Sequence, residues 1–153
     1  MKRILALDLA TATGWAHSAG ASGVYDFSIR RDESSGMRLI RLISKLNELA
    51  KSVGVDLVVF EAARHAAPGM QGALVVQAEL QGVLKSWCIQ NQVEFRGYSP
   101  SEIKKHACGK GNVGKDQMLE AAEKQWPDVN VEDHNQADAL WMLDLAMKEY
   151  GKC

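Results

Sequence analysis

The chain has 153 residues, of which 46% are hydrophobic and 24% are charged, and its formal net charge is −1. This length and composition predict a single globular domain over residues 1–153, with a sizeable core and no room for two full domains. The near-neutral charge excludes binding of nucleic acid through bulk positive charge, so basic groups must be concentrated locally. The three cysteines lack CxxC spacing, and no apolar run reaches the roughly 18–20 residues of a membrane span. We therefore expect a reduced, cytoplasmic protein with no membrane partner.

The beginning of the chain predicts three short strands. Residues 3–9 form an apolar run that contains Asp8 near its end, and a turn of small residues follows at 10–14. Further strands are expected at 15–18 and 23–29. Short gaps between strands favour antiparallel hairpins, so these three strands are expected to be antiparallel.

The rest of the chain alternates helices and strands. Apolar residues at three- and four-residue steps predict a helix over 37–53, and the continuous apolar run at 55–60 is typical of a strand buried on both faces. The later elements are a helix over 72–90, a strand over 93–98, a helix that opens at Ser99-Pro100, and helices over 115–125 and 135–150. The order predicts an α/β fold in which three antiparallel and two parallel strands form one mixed sheet flanked by helices.

Three carboxylates occupy positions that solubility alone does not explain. Asp8 lies at the end of the first strand, Glu61 directly follows the apolar strand at 55–60, and Asp138 begins the apolar face of the last helix. Each acid taken alone is equally consistent with a carboxylate that faces solvent. Adjacent central strands would bring Asp8 and Glu61 side by side, and a helix packed on the sheet could add Asp138.

Clustered carboxylates predict a divalent metal. Two unit charges about 4 Å apart repel by roughly 1 kcal/mol in water and roughly 4 kcal/mol at an effective dielectric constant near 20. A hard cation such as Mg²⁺ or Mn²⁺ reverses that cost and prefers oxygen ligands. Two such ions about 3.5–4 Å apart can activate a water and stabilise the leaving oxygen of a phosphodiester. The acids therefore favour metal-dependent phosphodiester hydrolysis with two ions per active site.

A basic segment lies between residues 101 and 115, where Glu102 is the only acid. Glycines in this segment would let the backbone approach a phosphate closely. We interpret it as a loop that binds phosphate beside the acids, although a solvated lysine loop is the alternative. Its lysines are the candidate DNA contacts: Lys104, Lys105, Lys110 and Lys115.

Two further surfaces are less specific. The arginines at positions 30, 31, 38 and 41 form a second basic cluster, but Asp32 and Glu33 interrupt it, which is more typical of a solvated helix face. The apolar residues at 70–84 could form a dimer interface, and packing against the sheet explains them equally well.

The acidic and basic motifs resemble, in the same order and over nearly the whole chain, those of RuvC-type Holliday-junction resolvases. Residues 8–16 resemble the first strand and turn of that family, and Val59-Phe60-Glu61 resembles its second acidic site. Residues 98–115 resemble its basic segment, and residues 135–140 resemble its acidic C-terminal helix. The compact length and the Ala-Thr-Ala-Thr-Gly turn are similar to phage-encoded members.

The resemblance implies a ribonuclease-H-like fold, a homodimer and paired nicks in four-way DNA junctions. It implies catalytic and metal-binding roles for Asp8, Glu61 and Asp138, and it places Lys115 nearest the scissile phosphate. One departure follows the second acidic site, where the family commonly has an aromatic and this chain has Ala62, Ala63, Arg64 and His65. Of these, Arg64 is a further candidate DNA contact.

The second departure is Asn135, which stands where the family usually carries an acid three residues before the last catalytic aspartate. On a helix, His134 and Asn135 lie about 40° and 60° from Asp138, whereas Asp133 lies about 140° away. We therefore expect Asp133 to be the N-cap, unless the helix starts late enough to let it join the site. Asn135 can offer its carbonyl oxygen to a metal. His134 is expected to compensate as a ligand or as the base that orients the attacking water.

Three other functions remain open. One is a ribonuclease-H-like nuclease on another branched DNA or on RNA, such as a ribosomal RNA precursor. Another is a junction-binding protein without catalysis, which Asn135 makes reasonable. The third is phosphotransfer, since Asp8 with its Thr/Gly turn also resembles the phosphate-binding strand of actin-like ATPases and sugar kinases. Those enzymes need two such domains, and this chain supplies one.

Overall fold

The computed structural model describes residues 1–62 and 71–151, and every element expected from the sequence is present within them. The elements are β1 (Ile4–Asp8), β2 (Ala12–His17), β3 (Ser22–Asp26), α1 (Gly36–Ser52), β4 (Leu57–Glu61), α2 (Gln71–Gln90), β5 (Glu94–Tyr98), α3 (Pro100–Cys108), α4 (Lys115–Gln125) and α5 (His134–Tyr150). No helix within those two ranges is both long and apolar enough to cross a membrane.

The turn between β1 and β2 is shorter than the sequence suggested. The Thr13 hydroxyl donates to the Ala10 carbonyl at 2.6 Å, and the same oxygen accepts from the Ala10 N–H at 3.2 Å. These two hydrogen bonds close the turn within a few residues, so β2 begins at Ala12 rather than near residue 15. The expected turn over residues 10–14 is therefore wrong for residues 12–14, which belong to β2.

The strands form one mixed sheet in the order β3-β2-β1-β4-β5, which confirms the predicted fold class. The pairs β1–β2 and β2–β3 are antiparallel, whereas β1–β4 and β4–β5 are parallel. As a result β1, β3, β4 and β5 all run in the same direction. Their C-terminal residues lie at one end of the sheet, which we call the carboxyl end.

Helices cover both faces of the sheet. Alternate residues of β1 point to opposite faces. Leu5 and Leu7 pack in a core with α1 and α2, whereas Ile4 and Ala6 pack in a second core with α3, α4 and α5. Because both of its faces are covered, β1 is apolar throughout until Asp8.

Candidate active site

The ends of β1 and β4 place two carboxylates next to each other. The parallel register pairs Leu7 with Phe60, so Asp8 and Glu61 occupy the next positions on neighbouring strands, about 4.8 Å apart. Strand alternation turns both side chains towards the face that α5 covers. Asp8 is only 6% exposed, and the Gln81 side chain donates to the Glu61 carbonyl at 2.9 Å, which fixes the end of β4.

The last helix adds the third carboxylate. Asp138 lies on the first turns of α5 and shares a hydrogen bond with Asp8. Burial raises the pKa of Asp8 well above its ordinary value, and the negative charges of Asp138 and Glu61 raise it further. Burial also raises the pKa of Asp138 to about 6, although the hydrogen bond from Asp8 and the charges of nearby cations oppose this shift. The structure thus brings together the three acids that the sequence singled out.

A glycine allows α5 to come this close. Gly14 on β2 is paired with Asp8 in the sheet, and α5 crosses directly above it. A Cβ atom at Gly14 would lie 1.9 Å from the backbone oxygen of Asn135 and 2.6 Å from the Gln136 nitrogen. No side chain fits there, so the N-terminal turn of α5 and Asp138 can approach β1.

The start of α5 explains how Asp133 participates. The helix begins at His134, and Asp133 accepts a hydrogen bond from the Gln136 N–H at 2.9 Å, which confirms the predicted N-cap. Asp133 also lies near enough for its charge to raise the pKa of Asp8. The rotation of 140° expected on a helix does not apply, because Asp133 has an extended backbone and precedes the first helical residue.

The neighbouring positions face the same region. His134 Nδ1 lies 3.3 Å from the Lys115 carbonyl oxygen, and the charge of His134 lowers the pKa of Asp138. The Asn135 amide nitrogen lies 3.4 Å from a carboxylate oxygen of Asp133, so its own amide oxygen is the atom left to bind a metal.

Two of the four candidate lysines lie at the acids. The charges of Lys104 on α3 and Lys115 at the start of α4 both lower the pKa of Asp138. Lys105 lies instead beside a shallow pocket that Glu102 and Glu149 also line. Lys110 is exposed in the loop between α3 and α4. Arg64, the remaining candidate, lies outside the described residues.

The local structure of α3 and α4 fixes where these lysines project. Ser99 and Glu102 form a reciprocal capping box at the start of α3, as its Ser-Pro opening suggested. Gly109 ends the helix with a φ of 78°, a left-handed conformation that favours glycine. In the part of the chain that the structure describes, none of the four lysines forms an ion pair, so their charges are available to a phosphate.

The donor set fits a hard divalent cation. Asp8, Glu61 and Asp138 provide carboxylate oxygens, the ligands that Mg²⁺ and Mn²⁺ prefer. Within residues 1–62 and 71–151, no three His, Cys, Asp or Glu side chains are already gathered around one ion position. Because the ligands of a metal must be deprotonated, a metal would have to compete with protonation of Asp8, whose pKa is raised.

We compared the sequence and the fold of the chain with those of known proteins. No family model and no curated protein sequence matches the chain. Among solved structures, Thermus thermophilus RuvC superimposes with a TM-score of 0.74 at 14% sequence identity, covering 97% of this chain and 96% of RuvC. This chain has the RuvC fold. RuvC of T. thermophilus in complex with a Holliday junction substrate gives the same TM-score at 16% identity, covering 93% of this chain and 90% of the other.

A eukaryotic protein shares the RuvC architecture. The yeast mitochondrial Holliday junction resolvase Ydc2 superimposes with a TM-score of 0.61 at 14% identity, covering 97% of this chain and 81% of its own. The ribonuclease-H-like, RuvC-type fold implied by the sequence motifs is therefore confirmed, while these identities are too low to transfer residue roles.

Proposed function

We propose that this chain is a metal-dependent endonuclease that resolves four-way DNA junctions by paired, symmetric nicks. The observation that carries the proposal is the meeting of Asp8, Glu61 and Asp138 at the carboxyl end of the sheet, with Lys104 and Lys115 beside them. Such a site combines ligands for divalent ions with cations for a phosphodiester. The fold shared with RuvC, which has been seen with a junction substrate, supports the choice of DNA.

The proposed mechanism assigns separate tasks to the acids and the lysines. Mg²⁺ ions, for which Mn²⁺ could substitute, would activate a water and stabilise the leaving oxygen. Asp8, Glu61 and Asp138 would hold them, two ions per site, in their deprotonated form. Lys104 and Lys115 orient the phosphate and offset its charge.

His134 and Asn135 would complete the site. The Asn135 amide oxygen is a neutral metal ligand, which leaves one metal position with less negative charge than a carboxylate would give. His134 lies next to the acids and Lys115, where its imidazole can orient the attacking water.

The proposed assembly is a homodimer, because a two-fold dimer matches the two-fold symmetry of paired nicks. Helix α2 buries Leu80 and Leu84 in the core but exposes Val75 and Ile89, at 55% and 71%. Part of the expected apolar surface, Met70, lies outside the described residues. We expect sedimentation to show a dimer, and Val75→Glu to weaken it. A monomer both free and junction-bound would contradict symmetric cutting.

The decisive experiment is cleavage of a synthetic four-way junction in Mg²⁺. We expect Asp8→Asn, Glu61→Gln and Asp138→Asn to abolish cleavage without loss of junction binding, because each removes a ligand charge and leaves the lysines in place. Glu123→Gln is the matched control, since this carboxylate is exposed on α4. If an acid variant cuts at the wild-type rate, its assignment is wrong.

The lysines allow binding and chemistry to be separated. Lys115→Ala should lower the cleavage rate even at saturating junction, because its charge acts on the reacting phosphate. Lys105→Ala should leave that rate unchanged, since Lys105 lies away from the acids. A Lys115→Ala enzyme with full rate at saturation would reduce Lys115 to a positioning contact.

A second candidate, a junction-binding protein without catalysis, is favoured by Asn135 in place of an acid. It predicts tight junction binding with no product in either Mg²⁺ or Mn²⁺. A nuclease for other branched DNA or RNA would instead cut those substrates faster than the four-way junction when they compete in one reaction.

A further inference from the structure

The loop between β3 and α1, residues 27–35, lies at the same end of the sheet as the acids. β3 runs parallel in direction to β1, so its C-terminal end and the loop that follows are at the carboxyl end. The Phe27 N–H donates to the Thr11 carbonyl at 2.7 Å, which joins this loop directly to the turn after Asp8. Two strand spacings, about 10 Å, separate β3 from β1.

Two arginines of α1 hold this loop in place. Arg38 Nε donates to the Phe27 carbonyl at 3.0 Å, and Arg41 donates to the Ser28 carbonyl at 3.1 Å. Arg41 also forms an ion pair with Glu33, whose pKa is lowered by that contact. These two cations of the cluster are therefore structural.

The other two arginines are left for a ligand. Arg30 and Arg31 are exposed near the middle of the loop, and neither forms an ion pair within the described ranges. Of the two acids that follow them in the loop, Asp32 is exposed, whereas Glu33 is held by Arg41 and by the Arg30 N–H, which donates to it at 2.7 Å. Over residues 26–45 five basic side chains stand against three acidic ones, in a chain whose net charge is −1.

We infer that Arg30 and Arg31 form a second binding surface for the DNA backbone, on the opposite side of Asp8 from Glu61 and β5. This inference rests on the proposed function, from which we take DNA as the ligand of the two arginines. The loop therefore contacts backbone phosphates of the junction arm that lies beside the site.

The test compares two double variants by junction binding across a salt series and by single-turnover cleavage. Arg30→Ala with Arg31→Ala removes the two exposed loop charges. Lys2→Ala with Lys51→Ala is the control, because it also removes two positive charges, here at the opposite end of the sheet, where Lys51 is exposed and Lys2 is paired with Glu94. Each lost phosphate contact should raise Kd by roughly tenfold at 0.1 M salt and reduce the slope of log K against log salt by about 0.9.

The expected result is weaker binding and a slope reduced by about 1–2 in the arginine variant alone, with an unchanged cleavage rate at saturating junction. Unchanged Kd and slope, in an enzyme whose wild type binds and cuts junctions, would overturn the inference. Arginine-dependent binding of DNA by a wild type that never cuts would support it and refute the proposed function. A wild type that binds no DNA would refute both.

Discussion

Gly14→Ala is the substitution that most directly tests how the site is assembled. The added Cβ would lie 1.9 Å from the Asn135 oxygen and 2.1 Å from its carbonyl carbon, both of them backbone atoms. An ordinary contact requires at least about 3 Å, so the first turn of α5 must move away from β2 by about 1 Å or more. Asp138 is on the second turn of that helix and must move with it.

The expected cost has two parts. Overpacking of this kind costs about 1–3 kcal/mol, which lowers Tm by roughly 2–12 °C in a domain of this size. A displacement of about 1 Å in an active-site group lowers the reaction rate by about 10²-fold. Junction affinity should change little, because Lys104 and Lys115 lie on α3 and α4.

The assay is single-turnover cleavage at saturating junction, with Tm and Kd measured on the same preparations. Gly82→Ala is the control, since Gly82 is exposed inside α2 and a Cβ there would meet nothing within 4 Å. That change should raise stability by about 0.5–1 kcal/mol, because alanine is the better helix former. A Gly14→Ala enzyme with the wild-type Tm and rate would refute the close approach of α5 to β2.

Three further outcomes are expected. The first concerns pH: the pKa values of Asp8 and Asp138 are higher in the folded protein than in the unfolded chain, where they are about 4. The stability that these two groups contribute is therefore fully present below about pH 4. It is lost as the pH rises through the folded pKa values, about 6 for Asp138. Metal-free protein should therefore melt at a lower temperature at pH 8 than at pH 5, and Asp8→Asn should reduce the difference; a flat or rising Tm would contradict it. Mg²⁺ at a hundredfold over its Kd should add about 2.7 kcal/mol of stability, and no shift at tens of millimolar metal would argue against the site. Asp133→Ser keeps an oxygen that can cap the helix and removes the charge, so it should preserve Tm and most of the cleavage activity. His134→Ala should instead lower the cleavage rate by roughly 10²-fold. An inactive Asp133→Ser variant beside an active His134→Ala variant would make Asp133 the fourth ligand.

The sequence predicted the acidic cluster because its logic is local to each strand. An apolar run buried on both faces must end where its first charge appears, and parallel strands end at the same side of a sheet. Asp8 and Glu61 follow from that rule, and the periodicity of the last helix added Asp138. Local sequence patterns also predicted the start of α4 at Lys115 and the N-cap of α5 at Asp133.

Features that depend on close packing between distant segments were not predictable. Nothing near Gly14 in the sequence reveals that α5 crosses above it, because the contact joins residues 14 and 135. Lys104 and Lys105 are adjacent lysines that composition and charge do not distinguish, and the packing of α3 places Lys104 near Asp138. For Asp133 the sequence left two outcomes open, since it could join the site only if the helix began after it; the helix begins at His134, and the charge of Asp133 lies near Asp8.

The sheet order has a consequence for how the protein is made. Synthesis delivers β1 first, yet Asp8 acquires its neighbours only after residue 61 and then residue 138 have left the ribosome. Contacts between segments so far apart in the chain form late and slowly. A growing chain that still lacks α5 therefore lacks one of the three clustered acids. If the proposed activity is correct, this order keeps a nuclease inert while it is being translated beside nucleic acid.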